Sequence, residues 1–202
     1  LDIRISTVDE ARPNVGMYDI LINGLAESSN YTVSKYQPGN LKVTAKKAII
    51  HAVNSGKIYL EQEPELKAVV SGNVEGEKLQ YSLTREAGEE VGQYPIHVIV
   101  GTNPNYEIWS EDAVFEITSA DTNKVFITGT TATYDGKAYG VDASVVQNGS
   151  TILYSTNQTD WSETAPTFTE AGTYTVYVKA TNPNYNETQV AEGTVVISKR
   201  EI

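Results

Sequence analysis

Apolar and polar residues alternate along most of this chain with a period of two. In the segment TYTVYVKA, Tyr174, Val176 and Val178 fall on one face, and the residues between them fall on the other. This alternation is typical of a half-buried strand. Clusters of Gly, Asn and Pro separate such segments, and no segment has the period of an amphipathic helix. The pattern therefore predicts an all-β protein.

One sequence pattern recurs three times. The segments NVGMYDILI, EVGQYPIHV and EAGTYTVYV share Gly-x-Tyr followed by a branched apolar residue, and each is followed by a loop that ends in Asn-Tyr. Such ordered recurrence indicates an array of similar structural units. The positions predicted to be structural in all three copies are Gly16, Tyr18 and Tyr31, then Gly92, Tyr94 and Tyr106, then Gly172, Tyr174 and Tyr185.

The offsets between these positions divide the chain into three repeats. Residues 1–46 are predicted to be the C-terminal part of a truncated β-repeat, and residues 47–118 and 122–202 to be complete β-domains. Strands about ten residues apart favour tandem small β-sandwiches of immunoglobulin-like type, with a β-grasp-like variant as the alternative topology. The predicted strands of the first repeat lack two partners, so pairing with another chain is expected there: Ile3 to Ser6, Met17 to Asn23, and Leu41 to Thr44.

Composition excludes several classes of function. The 15 basic and 26 acidic residues give a net charge of -11, which disfavours nucleic acid as a partner. No apolar run is long enough for membrane insertion, and the first residues do not form a signal peptide. The absence of cysteine excludes disulfides and thiolate metal sites.

The segment around Gly172 resembles the tyrosine corner of immunoglobulin-like domains, in which a Tyr at the start of a strand hydrogen-bonds back to nearby backbone. The wider pattern resembles the MBG domain, a small β-domain found in tandem in bacterial surface proteins. This resemblance is based on TYDGKAYGVDAS and EAGTYTVYVKATNPNYN in the third repeat, and on LKVTAKKAIIHAVNSGKIYLEQEPELKAVVSG in the second. It implies an extracellular or cell-wall-attached bacterial protein. Pro95 lies within a predicted strand and cannot donate a ladder hydrogen bond, which predicts an edge strand.

The sequence offers little catalytic chemistry. His51 and His97 have no recognisable catalytic partner in the sequence, and no hydrolase, metalloprotease or nucleotide-binding motif is present. The carboxylates near Asp135 and Glu63 do not have the spacing of a calcium loop. No catalytic residue, cofactor or metal site is therefore predicted, and the protein is not expected to be an enzyme.

Trp109 and Trp161 are the candidate ligand contacts, because an exposed aromatic ring can stack on a sugar. The pentapeptide TNPNY occurs at residues 102–106 and 181–185, and we interpret Asn-Pro-Asn as a turn whose following Tyr anchors the loop in the core. The expected function is a stalk or spacer. The alternatives are an adhesion module for host glycan or extracellular protein, acting through loops or edge strands, and an accessory region of an extracellular enzyme.

Overall fold

The computed structural model describes residues 4–7, 13–23 and 30–202, and every regular element among them is a β-strand. Ile3, which was assigned to the first predicted strand, lies outside the described residues. The strands of the first repeat are β1 (Arg4–Ser6), β2 (Gly16–Asn23) and β3 (Gly39–Val43). Those of the second are β4 (Lys46–Ala52), β5 (Ser55–Ile58), β6 (Ala68–Ser71), β7 (Tyr81–Arg85), β8 (Gly92–Val100), β9 (Tyr106–Glu111) and β10 (Ala113–Thr118). Those of the third are β11 (Val125–Thr128), β12 (Thr130–Thr133), β13 (Asp142–Val145), β14 (Thr151–Ser155), β15 (Gly172–Thr181) and β16 (Ala191–Ser198).

These strands form several small sheets. Their strand orders are β1-β2-β3, β6-β4-β9, β5-β10-β8-β7, β11-β13 and β12-β16-β15-β14. The pairs β4 with β9 and β12 with β16 are parallel, whereas β14-β15 and β15-β16 are antiparallel. The predicted all-β fold class is confirmed. A β-grasp sheet packs around a helix, and the described ranges contain no helix, which disfavours the alternative topology.

Contacts divide the chain into two compact units. The first comprises the described residues of Leu1–Ser55 together with Glu65–Glu86 and Pro95–Val114. The second comprises Gly56–Pro64, Ala87–Tyr94 and Phe115–Ile202. The sequence-based boundaries at residues 46, 118 and 122 remain a prediction.

The core of the second compact unit is centred on β15. Val176, Val178 and Ala180 are completely buried, and the residues between them are less buried, as the alternation predicts. Val176 packs with Val195 and Ile197 of β16, and the half-buried ring of Tyr174 packs against this cluster.

The core of the first compact unit is built on β4. Ala48 and Ile50 are buried with Leu79, and the side chains at alternate positions of β4 face outward. The ring of Tyr106, at the start of β9, packs against the same cluster.

The edge-strand prediction from Pro95 is wrong, because β8 lies between β10 and β7 in its sheet. The carbonyl of Pro95 accepts a hydrogen bond from the backbone N–H of Glu86 at 3.0 Å. In an antiparallel strand the N and O of one residue point to the same side. The missing donor of Pro95 therefore faces Glu86, which lies just beyond the end of β7, and an internal strand accommodates the proline.

Candidate functional site

Each Gly-x-Tyr segment forms a tyrosine corner. In all three, the Tyr hydroxyl donates a hydrogen bond to the backbone carbonyl four residues earlier: Tyr18 to Asn14 at 2.7 Å, Tyr94 to Glu90 at 2.7 Å, and Tyr174 to Glu170 at 3.1 Å. All three rings are half-buried, because each Tyr is the third residue of its strand and lies near the end of a sheet. The corner fixes the path of the chain just before β2, β8 and β15.

None of the corner glycines provides an unusual backbone angle, and in the third corner the glycine makes room for the ring. Gly16, Gly92 and Gly172 each begin a strand, and none of them has a positive φ. Residues two apart in a strand face the same side, so the Tyr ring lies over the glycine. A Cβ on Gly172 would lie 3.0 Å from the hydroxyl of Tyr174, and one on Gly16 would lie 3.5 Å from the ring of Tyr18. The packing role of glycine is therefore clearest in the third corner, since 3.5 Å at Gly16 is an ordinary van der Waals distance.

The two TNPNY loops form the predicted turn. Tyr106 donates its backbone N–H to the carbonyl of Asn103 at 3.0 Å, and Tyr185 donates to Asn182 at 3.3 Å. Proline thus occupies the second position of each turn, where its fixed φ fits. Neither Asn105 nor Asn184 has a positive φ, so both turns form without a left-handed residue at this position.

The first Asn of each pentapeptide bonds within its own repeat. The side chain of Asn103 exchanges hydrogen bonds with the backbone of Gln80, accepting at 2.8 Å and donating at 2.9 Å. Asn182 donates to the hydroxyl of Ser150 at 3.2 Å and accepts from the backbone N–H of Asn184 at 3.0 Å. These bonds hold the loop in place.

The second Asn of each pentapeptide bonds to the tyrosine corner of the preceding repeat. The side-chain oxygen of Asn105 accepts from the backbone N–H of Val15 at 2.9 Å, and its nitrogen donates to the side-chain oxygen of Asn14 at 2.7 Å. Asn184 makes the equivalent bonds to the next corner. It accepts from the N–H of Val91 at 2.8 Å and donates to the carboxylate of Glu90.

A backbone hydrogen bond completes each arrangement. The carbonyl of Asn105 accepts from the N–H of Lys46 at 2.9 Å, and that of Asn184 accepts from the N–H of Ala120 at 3.1 Å. Lys46 and Ala120 hold equivalent positions, since each lies three residues after the last apolar position of its repeat, Val43 or Ile117. We call each set of three bonds a repeat joint. The first joint lies within the first compact unit and the second within the second.

The tyrosine that follows the second Asn has a different environment in each repeat, so its predicted role as a common core anchor is only partly correct. The hydroxyl of Tyr106 accepts from the N–H of Val74 at 3.0 Å and donates to the carboxylate of Glu77. Tyr185 packs edge-to-face on Tyr59, with ring centroids 5.4 Å apart. Tyr31 is 68% exposed and does not anchor a core.

The two tryptophans also differ. Trp109 lies on the outer face of the sheet β6-β4-β9 and is 66% exposed; its nearest apolar neighbour in register, Ile49, is 42% exposed. Trp161 is half-buried, and the ammonium group of Lys179 lies 4.6 Å from the centre of its ring. Of the two tryptophans, Trp109 is the widely accessible one.

Both histidines have carboxylate partners that sequence spacing did not reveal. The ring of His51 contacts Glu111, and Nδ1 of His97 lies 2.8 Å from the carboxylate of Asp112. The hydrogen bond with Asp112 is the main cause that raises the pKa of His97 above its ordinary value. The pKa of Asp112 is lowered, first by the N–H of Val98 and then by His97. Within residues 4–7, 13–23 and 30–202, no three His, Asp or Glu side chains form a group that could hold a metal ion.

One lysine is nearly enclosed. The side chain of Lys57 is 6% exposed and lies 2.6 Å from the carboxylate of Glu89 and 3.0 Å from that of Glu63. These hydrogen bonds, that of Glu89 first, raise the pKa of Lys57. Glu63, whose neighbourhood lacks the spacing of a calcium loop, is therefore an ion-pair partner of Lys57.

Comparison with known proteins identifies part of the chain. Residues 48–116 match the family described as MBG domain (YGX type), which confirms the resemblance found in the sequence for this segment. No curated protein matches the chain. None of the described residues forms a helix that is long and apolar enough to cross a membrane.

Several solved structures share low similarity with the chain. The fibronectin(III)-like modules of CbhA from Clostridium thermocellum are 8% identical, with 98% of this chain and 94% of that chain covered and a TM-score of 0.31. A tandem of titin domains I9–I11 is 7% identical, with 98% and 100% covered and a TM-score of 0.36. A SusE-like surface-located polysaccharide-binding protein of Bacteroides thetaiotaomicron is 10% identical, with 98% and 36% covered and a TM-score of 0.29. With TM-scores below 0.5, these similarities support no argument about function.

Proposed function

We propose that this chain is a non-catalytic repeat region of a bacterial surface or secreted protein, and that it acts as a spacer. The observation that supports this most strongly is the recurrence of the repeat joint. Asn105 and Asn184 make matching hydrogen bonds to Val15 and Val91, although the repeats differ in sequence outside TNPNY and the Gly-x-Tyr pattern. A spacer needs a reproducible connection between successive repeats, and needs no common ligand surface.

The joint uses groups suited to a fixed orientation. An Asn side chain offers both a donor and an acceptor, so one residue can bond to an N–H and to an oxygen of the neighbouring corner. Each hydrogen bond contributes about 0.5 to 1.5 kcal/mol, and three bonds with different directions restrict rotation about the connecting segment. The N–H groups that the two Asn side chains accept from, those of Val15 and Val91, lie on backbone that the tyrosine corner already holds in place.

Spin-label distance measurements test the first joint. The chain has no cysteine, so Lys42→Cys and Glu107→Cys, both on exposed strand positions, give specific labelling sites. We expect a narrow distance distribution in the full chain and a broad one after Asn105→Ala. Thr102→Ala, an exposed change in the same loop, serves as the control. A broad distribution before the substitution, or no broadening after it, would contradict the spacer proposal.

A second candidate function is adhesion through the face that carries Trp109. Ile49 and Val69 are exposed on this face, with Val69 at 59%, and Trp109 lies opposite Ile49 in the parallel register. His51 and Glu111 lie at the same end of the face. A flat aromatic ring bordered by polar side chains suits the stacking of a sugar.

Binding measurements with matched tryptophan variants test this candidate. The full chain would be screened against host glycans and extracellular matrix proteins, and any saturable binding would be remeasured with Trp109→Ala and Trp161→Ala. We expect the first variant to lose binding and the second to retain it, with circular dichroism unchanged in both. Retention of binding by Trp109→Ala would exclude this face as the adhesive surface.

A further inference from the structure

The tyrosine corner of the third repeat presents the groups that the first two corners use in their joints. Ala171 precedes the corner glycine, as Val15 and Val91 do, and Glu170 corresponds to Glu90. In the first two corners the N–H at this position is bonded to an Asn side chain. Among the described residues, no acceptor is bonded to the N–H of Ala171.

The backbone donor of the joint is also repeated. Lys46 and Ala120 donate to the carbonyl of the second Asn from a position three residues after Val43 and Ile117. The equivalent position after Ile197 is Arg200. Its N–H has no acceptor within the part of the chain that the structure describes.

An aromatic surface lies beside these donors. Tyr59 and Tyr134 occupy matching places, because each donates its backbone N–H, at 2.8 Å, to the residue after the last apolar position, Thr118 or Ser198. The ring of Tyr59 packs edge-to-face against the ring of Tyr185 beside the second joint. Tyr134 is 40% exposed.

The residues that carry these groups line one cavity of about 420 Å³. It is lined by Tyr134, Glu170, Ala171, Lys199, Arg200 and Ile202. The Glu170 carboxylate, two backbone N–H groups and a Tyr ring are thus placed together at one end of the third repeat. The same four groups hold residues 184 and 185 in the second joint: the Glu90 carboxylate, the N–H groups of Val91 and Ala120, and the ring of Tyr59.

We propose that this surface is the docking site for the Asn-Tyr loop of a further repeat of the same type, connected directly after Ile202. The Asn side chain accepts from the N–H of Ala171 and donates to the carboxylate of Glu170, its carbonyl accepts from Arg200, and the following Tyr packs on Tyr134. This inference rests on the proposed spacer function, because it extends the same joint by one repeat.

The spacing of equivalent positions along the sequence defines how such a repeat is attached. Residues 197–202 hold the positions that residues 117–122 hold before the third repeat. A copy of residues 123–202 placed after Ile202 therefore continues the spacing without insertion. The result is the full chain with one additional repeat.

Amide hydrogen exchange in this extended chain tests the proposal. We expect the extension to slow the exchange of Ala171 and Arg200 by about tenfold, the effect of a hydrogen bond near the upper end of the usual range. The slowing at Ala171 should disappear when the added copy of Asn184 carries Asn→Ala, whereas that at Arg200 should remain, because alanine keeps the backbone carbonyl. The slowing at Ala171 should persist when the added copy of Asn186 carries the same change, because Asn186 is exposed and two residues away.

Two outcomes would overturn the inference: no slowing on extension, or equal slowing of Ala171 with and without the added Asn184 side chain. Slow exchange of the strand amides in the added copy would show that it has folded. The exchange of Val91 in the unextended chain separates the two proposals. If Val91 responds to Asn184→Ala and Ala171 does not respond to extension, only the docking site fails; if Val91 does not respond, the repeat joint itself fails.

Discussion

The side chain of Asn184 accepts a hydrogen bond at 2.8 Å from the backbone N–H of Val91, which lies 93 residues earlier in the chain. Asn105 bonds to Val15 in the same way across 90 residues. The pentapeptide that contains each Asn is thus part turn and part connector. Its first Asn holds the loop, and its second Asn joins the loop to the preceding tyrosine corner.

The two joints predict different responses to the same substitution. Asn184→Asp replaces the donor with a carboxylate that faces Glu90, whereas Asn105→Asp faces the Asn14 amide, which can rotate to donate. We expect Asn184→Asp to lower the free energy of unfolding by about 1 kcal/mol more than Asn105→Asp at pH 7, because of the like charges. Urea denaturation of both variants measures this difference.

The pH dependence provides a control for that comparison. Protonation of either carboxylate removes the repulsion, so the difference between the two variants should shrink as the pH falls to about 4. A difference that is absent at pH 7, or that does not change with pH, would show that Glu90 does not accept a hydrogen bond from Asn184.

The corner glycines predict a second pair of results. A Cβ at position 172 would meet the hydroxyl of Tyr174 at 3.0 Å, whereas the nearest atom to a Cβ at position 92 is the hydroxyl of Tyr94, at 3.8 Å. Gly172→Ala should therefore destabilise the protein by about 1 kcal/mol as the corner hydrogen bond is strained. Gly92→Ala should be neutral or slightly stabilising, because it reduces the entropy of the unfolded chain. Thermal unfolding of the two variants measures which is less stable, and equal changes in stability would argue against ring contact as the reason for glycine at position 172.

The pair formed by His97 and Asp112 makes stability depend on pH. The pKa of His97 is raised in the folded protein, so its contribution is complete below its unfolded pKa near 6.5 and is lost as the pH rises through the folded value. The pKa of Asp112 is lowered, so its contribution is complete above an unfolded value near 3.8 and is lost as the pH falls through the folded value. The pair therefore stabilises most between about pH 4 and 6.5.

An NMR titration of His97 measures this coupling directly. Asp112→Asn should move the pKa of His97 down towards its ordinary value. Glu86→Gln should have a smaller effect, because the carboxylate of Glu86 lies 3.8 Å from Nε2, against 2.8 Å between Nδ1 and Asp112. A pKa of His97 that does not change in Asp112→Asn would exclude the proposed hydrogen bond.

The sequence predicted the features that depend on local spacing. The alternation in β15, the turn at Asn103 and the three Gly-x-Tyr segments each involve residues a few positions apart. Strand and turn chemistry acts over that distance, so the pattern is visible without a structure. The tyrosine corner could be expected for the same reason, because its hydrogen bond spans four residues.

The features that the sequence did not reveal depend on contacts between distant residues. Nothing local distinguishes Asn103, which bonds within its repeat, from Asn105, which bonds to Val15. Pro95 is tolerated in the internal strand β8 because β7 ends before Glu86, and the partners of both histidines come from other strands or turns. One signal was available, since an Asn precedes the Tyr in every repeat, including Asn30, where the rest of the pentapeptide is absent.

The exchange rate of the Val91 amide tests the repeat joint most directly. Asn184→Ala should accelerate the exchange of the Val91 amide by about tenfold. Asn186→Ala should leave the exchange of Val91 unchanged, and Asn184→Ala should leave that of the buried Val176 unchanged. Rapid exchange of Val91 in the unsubstituted chain, or a rate that is the same with and without the Asn184 side chain, would contradict the joint.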